Sequence, residues 1–255
     1  MTPAPRRQDQ SGALLFARFA YPPNALGYCG PDDSAALLQH AIAGVDDPGL
    51  RQLARGFEGA WPYLQLIAAA NHIEDPLDLR VVEAYWIGNP LLDRVPVSLA
   101  GSSLDDRFRR GADRGWQQIV DCVCAGSVPH HNFHVFSIYP WVGMLRGGLV
   151  DAPLRVLDRC RVRWGEVSSV AGDTVIARTS PLRWDGGRLC LGVPVLETAA
   201  CRALRLEPGD RIALHWDWVC ARLSAGQLGA LRSRTRRELE IANQAPRPAA
   251  AAMLG

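Results

Sequence analysis

The spacing of apolar positions along this chain changes once, near residue 158. Before that point the apolar positions recur at helical spacing. Pro31-Asp32-Asp33-Ser34 supplies a helix start with carboxylates at its positive end, and an apolar-rich run continues to Gly44. Over 48–72, Leu50, Leu53, Ala54, Phe57 and Trp61 fall on one side of a helix, so the spacing predicts a single helix there. Runs at 76–87 and 104–124 predict further helices, separated by the breaks around Asn89-Pro90 and Gly101. After residue 158 alternation takes over. Cys160, Val162 and Trp164 alternate with Arg161 and Arg163, a half-buried strand pattern over 159–170. Ala171-Gly172-Asp173 is a turn and 174–179 a second strand, while Asp185-Gly186-Gly187 marks a hairpin within 183–191. Pro208-Gly209-Asp210 leads into another alternating run, over 211–221. The last element, 224–243, sets Leu228, Leu231 and Leu239 on one side of a helix ahead of a loose tail.

This pattern predicts an α+β chain of two domains. Residues 1–150 form a mainly helical domain, and residues 151–255 a small antiparallel barrel of OB type with a C-terminal helix and a flexible tail. Charge divides at the same place. The first 150 residues hold twelve arginines against fifteen carboxylates, a net −3, and the remainder sixteen against eleven, a net +5. The whole chain of 255 residues is therefore close to neutral, at +2, which argues against a general nucleic-acid binder. The longest apolar stretch, 61–70, is too short to span a membrane and contains Gln65. All 28 basic residues are arginine, which removes Schiff-base and Walker-type lysine chemistry. Arg18 interrupts the apolar run near the N-terminus and no cleavage site follows, so no signal peptide is read. The seven cysteines are then expected as free thiols in a reducing, cytoplasmic setting.

Two segments after residue 158 carry a resemblance to a known family. Cys160-Arg161-Val162-Arg163-Trp164-Gly165-Glu166-Val167 is similar to the opening of the HypC/HupF family of [NiFe]-hydrogenase maturation chaperones, where a cysteine is followed by three residues, Pro-Gly, one residue and Val. Pro208-Gly209-Asp210-Arg211-Ile212-Ala213-Leu214-His215 resembles the family's second signature, a Gly-Asp turn before a strand that ends in His. The likeness covers roughly residues 158–243. It implies a metallochaperone in which Cys160 carries an Fe(CN)2(CO) fragment and His215 assists. The partners implied are an iron-scaffold maturation protein and the hydrogenase large-subunit precursor. A soft thiolate suits such an iron better than a carboxylate does. The chain departs from the family twice: Cys160 lies mid-chain, without a free α-amino group, and Trp164 replaces the proline.

The first 150 residues hold a different concentration of donors. Cys122 and Cys124 precede His130, His131 and His134; on a helix His130 and His134 would face the same way, and so would His131 and His134. Cys29 sits in a Gly- and Pro-rich loop ahead of a helix start, where a thiolate is favoured. These residues support an alternative reading, a metal-dependent enzyme whose site is His130, His131 and His134 with Cys124 or Cys29. Under the family resemblance, Cys29 and the histidines instead complete the iron site from the other domain. A third reading is an interaction protein without a metal. Arg232, Arg234, Arg236 and Arg237 read as the solvated face of the last helix, with docking to an acidic partner as the minor alternative.

Overall fold

The computed structural model describes residues 11–99 and 116–244, without the side chains of 116–119. Residues 104–115 of one predicted helix and the tail at 246–255 lie outside the described residues. The first helix, α1 (Gly12–Ala25), was not legible as an amphipathic element because it is apolar all round: twelve of its fourteen residues are buried. Ser11 caps it by accepting from the Leu14 amide at 3.3 Å. Around it stand α2 (Ser34–Ala43), α3 (Pro48–Arg55), α4 (Trp61–Ala70) and α5 (Leu79–Trp86). The single helix expected over 48–72 is two. Gly56 ends α3, and Pro62 occupies the first turn of α4. Between them Phe57 turns into the core, where its ring meets Phe16 edge-on at 5.2 Å.

Next come α6 (Trp116–Cys124), a single helical turn (His131–Phe133) that widens into a π-helical turn (His134–Ile138), α7 (Trp141–Arg146) and α8 (Asp151–Cys160). The strand expected from residue 159 therefore starts late. Pro153, Val156, Leu157 and Cys160 are the buried residues of α8 and recur at helical spacing, so Cys160 ends a helix and does not open a strand. β1 follows at Arg163–Ala171. Its expected polar face is not solvated: Arg161 and Arg163 are each 1 % exposed. Both are buried in ion pairs, Arg161 with Asp158 and Arg163 with Glu197.

β1 pairs antiparallel with β2 (Thr174–Thr179) and with β6 (Arg211–His215), and β2 pairs antiparallel with β5 (Val195–Ala200). β7 (Trp218–Arg222) pairs with β6 and meets β5 in parallel through Ala200 and Trp218, so the ring β1-β2-β5-β7-β6 returns on itself. The sheet is thus mixed, not purely antiparallel. The run 211–221 is a hairpin instead of one strand, turning at Trp216 with φ of 53°. No glycine announced that turn. β3 (Leu182–Trp184) and β4 (Leu189–Leu191) form the expected hairpin, with the Asp185 carboxylate accepting from the amides of Gly187 and Arg188 at 3.1 and 2.7 Å. They stand apart from the ring as a two-stranded sheet.

The main apolar core does not stop at residue 150. Phe16, Phe19, Leu64 and Trp86 share one cluster with Val162, Ala213, Cys220 and Leu231. The last helix, α9 (Ala225–Gln244), runs back over the helical half. Its arginines are only partly a solvated face. Arg234 pairs with Asp93 at 2.5 Å, and Arg237 donates to the Ala125 carbonyl. Deeper in, Thr235 Oγ1 accepts from Asn132 Nδ2 at 2.8 Å, and the Ser127 hydroxyl donates to Glu238 at 2.7 Å. No helix among the described residues is long and apolar enough to cross a membrane.

Two predictions follow from this packing. A Cβ on Gly12 would lie 2.0 Å from the Leu77 carbonyl oxygen, a backbone clash that no rotamer relieves. Gly12→Ala, usually favourable in a helix, should here cost about 1–3 kcal/mol in a denaturant titration. Burial raises the Glu238 pKa to about 7, above its ordinary carboxylate value of 4.5. Between those values the folded chain binds more protons than the unfolded one, so stability falls as pH rises through the window. Glu238→Gln should flatten that fall; an unchanged slope from pH 4.5 to 7 would show that Glu238 ionises freely.

Candidate functional site

Two prolines sit inside α1, Pro22 and Pro23. Pro23 has no N–H to give to the carbonyl four residues earlier, that of Phe19, which therefore lacks its helical partner. His215, at the end of β6, takes it: its Nδ1 lies 2.6 Å from the Phe19 oxygen. A carbonyl only accepts, so Nδ1 carries the proton and Nε2 keeps its lone pair. That Nε2 is buried and has no hydrogen-bond partner among the described residues. Burial also lowers the His215 pKa to about 4, which keeps the ring neutral and able to coordinate.

His131 is fixed by a similar argument. Its Nε2 lies 2.8 Å from the carbonyl oxygen of Cys160, so the proton is on Nε2, and Nδ1 is left to accept from the Tyr85 hydroxyl at 3.4 Å. The Trp86 ring packs against both imidazoles, with centroids at 4.5 Å from His131 and 5.3 Å from His215. Asn132, the next residue, bridges outward: its Oδ1 accepts from the Val162 amide at 3.2 Å while its Nδ2 reaches Thr235. The junction between α8 and β1 is thereby tied to the 131–133 turn, and Cys160 is held against His131.

The ligand atoms of His131, Cys160 and His215 lie within 4.8 Å of one another. All three residues are buried. Burial and the neighbouring Cys29 push the Cys160 thiol well above its ordinary pKa, so the sulfur is held as a protonated thiol, and a cation would have to displace that proton. His131 uses both its nitrogens in hydrogen bonds; the donors left for a metal are Cys160 Sγ and His215 Nε2. A soft sulfur beside a neutral imidazole suits a thiophilic transition metal better than calcium or magnesium.

Three arginines hold the chain ends that carry Cys160 and His215 in place. Arg161 pairs with Asp158 at 2.9 Å and donates to the Ser180 carbonyl at 2.6 Å. Arg163 pairs with Glu197 and donates to the Trp216 carbonyl. Arg159 reaches Glu197 at 3.0 Å and Asp217 at 2.6 Å. The positive φ at Trp216 directly follows His215, and the Trp216 amide donates to the Arg159 carbonyl at 2.7 Å. Removing the Glu197 carboxylate would strand the buried Arg163, a loss on the order of 3–5 kcal/mol.

The cluster opens on a cavity of about 130 Å3 with predominantly apolar walls, bordered by Cys29, Tyr28, Phe57, Tyr139 and Trp141. Cys29 comes from the 26–33 loop, which Asn24 Nδ2 ties down through the carbonyls of Cys29 and Pro31, at 2.7 Å each. Burial raises its pKa to about 12. The structure thus brings Cys29, His131, His134, Cys160 and His215 to one cavity. Two sequence candidates fall elsewhere. His130 is extended (φ −107°, ψ 150°), precedes the helical turn and caps it, with Nδ1 accepting from the Asn132 amide at 3.1 Å; it does not share a face with His134. Cys124 is exposed at the end of α6. His134 borders the cavity and meets the Tyr63 hydroxyl at 3.1 Å, outside the three-donor cluster. The sequence reading missed Phe19 and Pro23. A double proline inside an otherwise helical apolar run was the available signal, because it marks carbonyls without helical donors.

No curated protein and no solved structure matches the chain. A family model described as a family of unknown function (DUF6390) matches residues 8–249, nearly the whole chain, and the protein belongs to that family.

Proposed function

We propose that this protein is a cytoplasmic [NiFe]-hydrogenase maturation accessory that receives an Fe(CN)2(CO) fragment as cargo on the Cys160 thiolate, with His215 as the second donor. One observation carries the reading. Cys160 and His215, the two residues picked out by the HypC/HupF likeness, end different elements and meet in one buried cluster, where His215 Nε2 has its lone pair unused. The cavity supports it further, since its predominantly apolar walls would shield carbonyl and cyanide ligands from water. The barrel supports an OB-like reading of the second half. Counting only its five strands, the ring runs first, second, third, fifth, fourth, with one parallel contact between third and fifth. All seven cysteines are free, in keeping with a reducing compartment. The helical half then supplies His131, the Phe19 carbonyl and the cavity wall with Cys29. An iron-scaffold maturation protein would deliver the cargo and the hydrogenase large-subunit precursor would accept it.

The enzyme reading, a metal held by the histidines of the first 150 residues, has less behind it. Of its set only His131 joins the cluster, whereas His130 caps a turn and Cys124 faces solvent. Metal retained at full stoichiometry by Cys160→Ala but lost on His131→Ala would favour it.

Anaerobic co-expression with a hydrogenase maturation system, followed by infrared spectroscopy of the purified protein, tests the leading reading. Iron-bound CN and CO stretches are expected from the natural chain and not from Cys160→Ala. Absence of those bands, together with hydrogenase activity unchanged by Cys160→Ala, would sink the proposal. A second measurement concerns the anchor of His215. Pro23→Ala restores an N–H that competes for the Phe19 carbonyl. Cobalt(II) affinity, followed by thiolate-to-metal absorption, should fall roughly 10–100-fold as for other lost partners of a ligand histidine. Equal affinity would mean that the Phe19 contact does not set the tautomer.

A further inference from the structure

A second concavity lies outside the cluster, where the outer side of β1 and β2 meets the first two turns of α9; its volume is about 410 Å3. We propose that it docks an acidic, aliphatic-flanked segment of a partner protein in extended form. Three arginines border it, Arg178 on β2, Arg211 on β6 and Arg232 on α9, and all three are exposed. Arg159, Arg161, Arg163 and Arg222, by contrast, each face a carboxylate. Arg178, Arg211 and Arg232 have no ion pair among the described residues. Glu166 stands opposite Arg178 in the β1–β2 register and opposite Arg211 in the β1–β6 register. It is the one carboxylate bordering the groove, leaving two positive charges in excess.

The groove is built as well as charged. Trp164 forms one wall, and the Arg232 guanidinium lies 5.7 Å from its ring centroid, which orders that cation while leaving its N–H edge for a ligand. Thr179, also in the lining, has a buried Oγ1 without a hydrogen-bond partner among the described residues. The N-terminal turn of α9 adds partial positive charge of the same sign. On the neighbouring edge Val193, Val195 and Leu196 are 68, 40 and 58 % exposed, flanking and following Pro194 of the lining.

These features select among anions. Arg178 and Arg211 sit on the two strands flanking β1, so their backbones stand about 10 Å apart. Glu166 lies between them on β1, so a single phosphate drawing both guanidinium groups together would meet its carboxylate, whereas two carboxylates carried along an extended chain can each take one arginine. The exposed aliphatic edge has no use for a nucleic-acid backbone but would be covered by aliphatic side chains between the carboxylates. This surface is independent of the metal cluster and stands whether or not the cargo reading does.

The test uses the full-length protein and a fluorescein-labelled peptide in which glutamates alternate with leucines, followed by anisotropy. Saturable binding is expected, weakening as salt rises from about 50 to about 300 mM. Arg178→Gln combined with Arg211→Gln should weaken it roughly five- to tenfold, with circular dichroism and melting unchanged because both side chains are exposed. Arg236→Gln, on the same helix but outside the groove, should leave affinity as it was. Several results would overturn the proposal: no saturable binding, equal affinity for the glutamine version of the peptide, or full affinity in the double arginine variant. Displacement of the peptide by equimolar inorganic phosphate would also overturn it, showing a small-anion site in place of a docking groove.

Discussion

The hydrogen bond from His215 to the Phe19 carbonyl is the contact on which the candidate site depends. It spans 196 residues of sequence and joins the central helix to the end of a barrel strand. A helix whose carbonyls were all satisfied would offer nothing at that point, and His215 would then be free to choose either tautomer. Pro23 removes one intrahelical bond, and the vacated acceptor sets which nitrogen of His215 keeps a lone pair. A local defect in one element thus becomes a chemical specification in another. The helix tolerates two internal prolines because it is buried on nearly every side and its stability comes from packing, not from its own hydrogen-bond ladder.

The rest of the arrangement serves to hold Cys160 opposite that nitrogen. Arg159, Arg161 and Arg163 tie the end of α8 and the start of β1 to Glu197, Asp217 and Asp158. Asn132 closes the other side by engaging both Val162 and Thr235. The arginine pairs lie wholly after residue 150, whereas the Asn132 contacts cross that boundary between the negative and positive parts of the chain. The compositional break is real, but the site is assembled across it: His131 and the Phe19 carbonyl come from one side, Cys160 and His215 from the other.

Much of the barrel half was legible from periodicity because its turns carry glycine: the β1–β2 turn, the Asp185-Gly186-Gly187 hairpin and the Gly209 turn at φ of 89°. What escaped had no such mark. The β6–β7 turn uses Trp216 and Asp217, stabilised by partners distant in sequence, and β5 has a mostly exposed face without clear alternation. Around residue 160 two periods overlap. Cys160 closes a helical series that begins at Pro153 and also opens an alternating one, and only packing decides that it belongs to the first. The candidate site was legible as residue types. Cys160, His215, His131, His134 and Cys29 all reach the same cavity, but spacing could not tell that His130 would be spent as a cap.

The protonation state of Cys160 has a consequence for how the protein withstands oxidants. Peroxide and electrophiles react with thiolates far faster than with thiols, and a sulfur buried with its proton stays low on the oxidation ladder. That same burial would have to be overcome by any cation that displaced the proton. The burial that keeps the proton thus keeps the sulfur from oxidants, and the sulfur would become a strong donor only to a cation that took the proton's place.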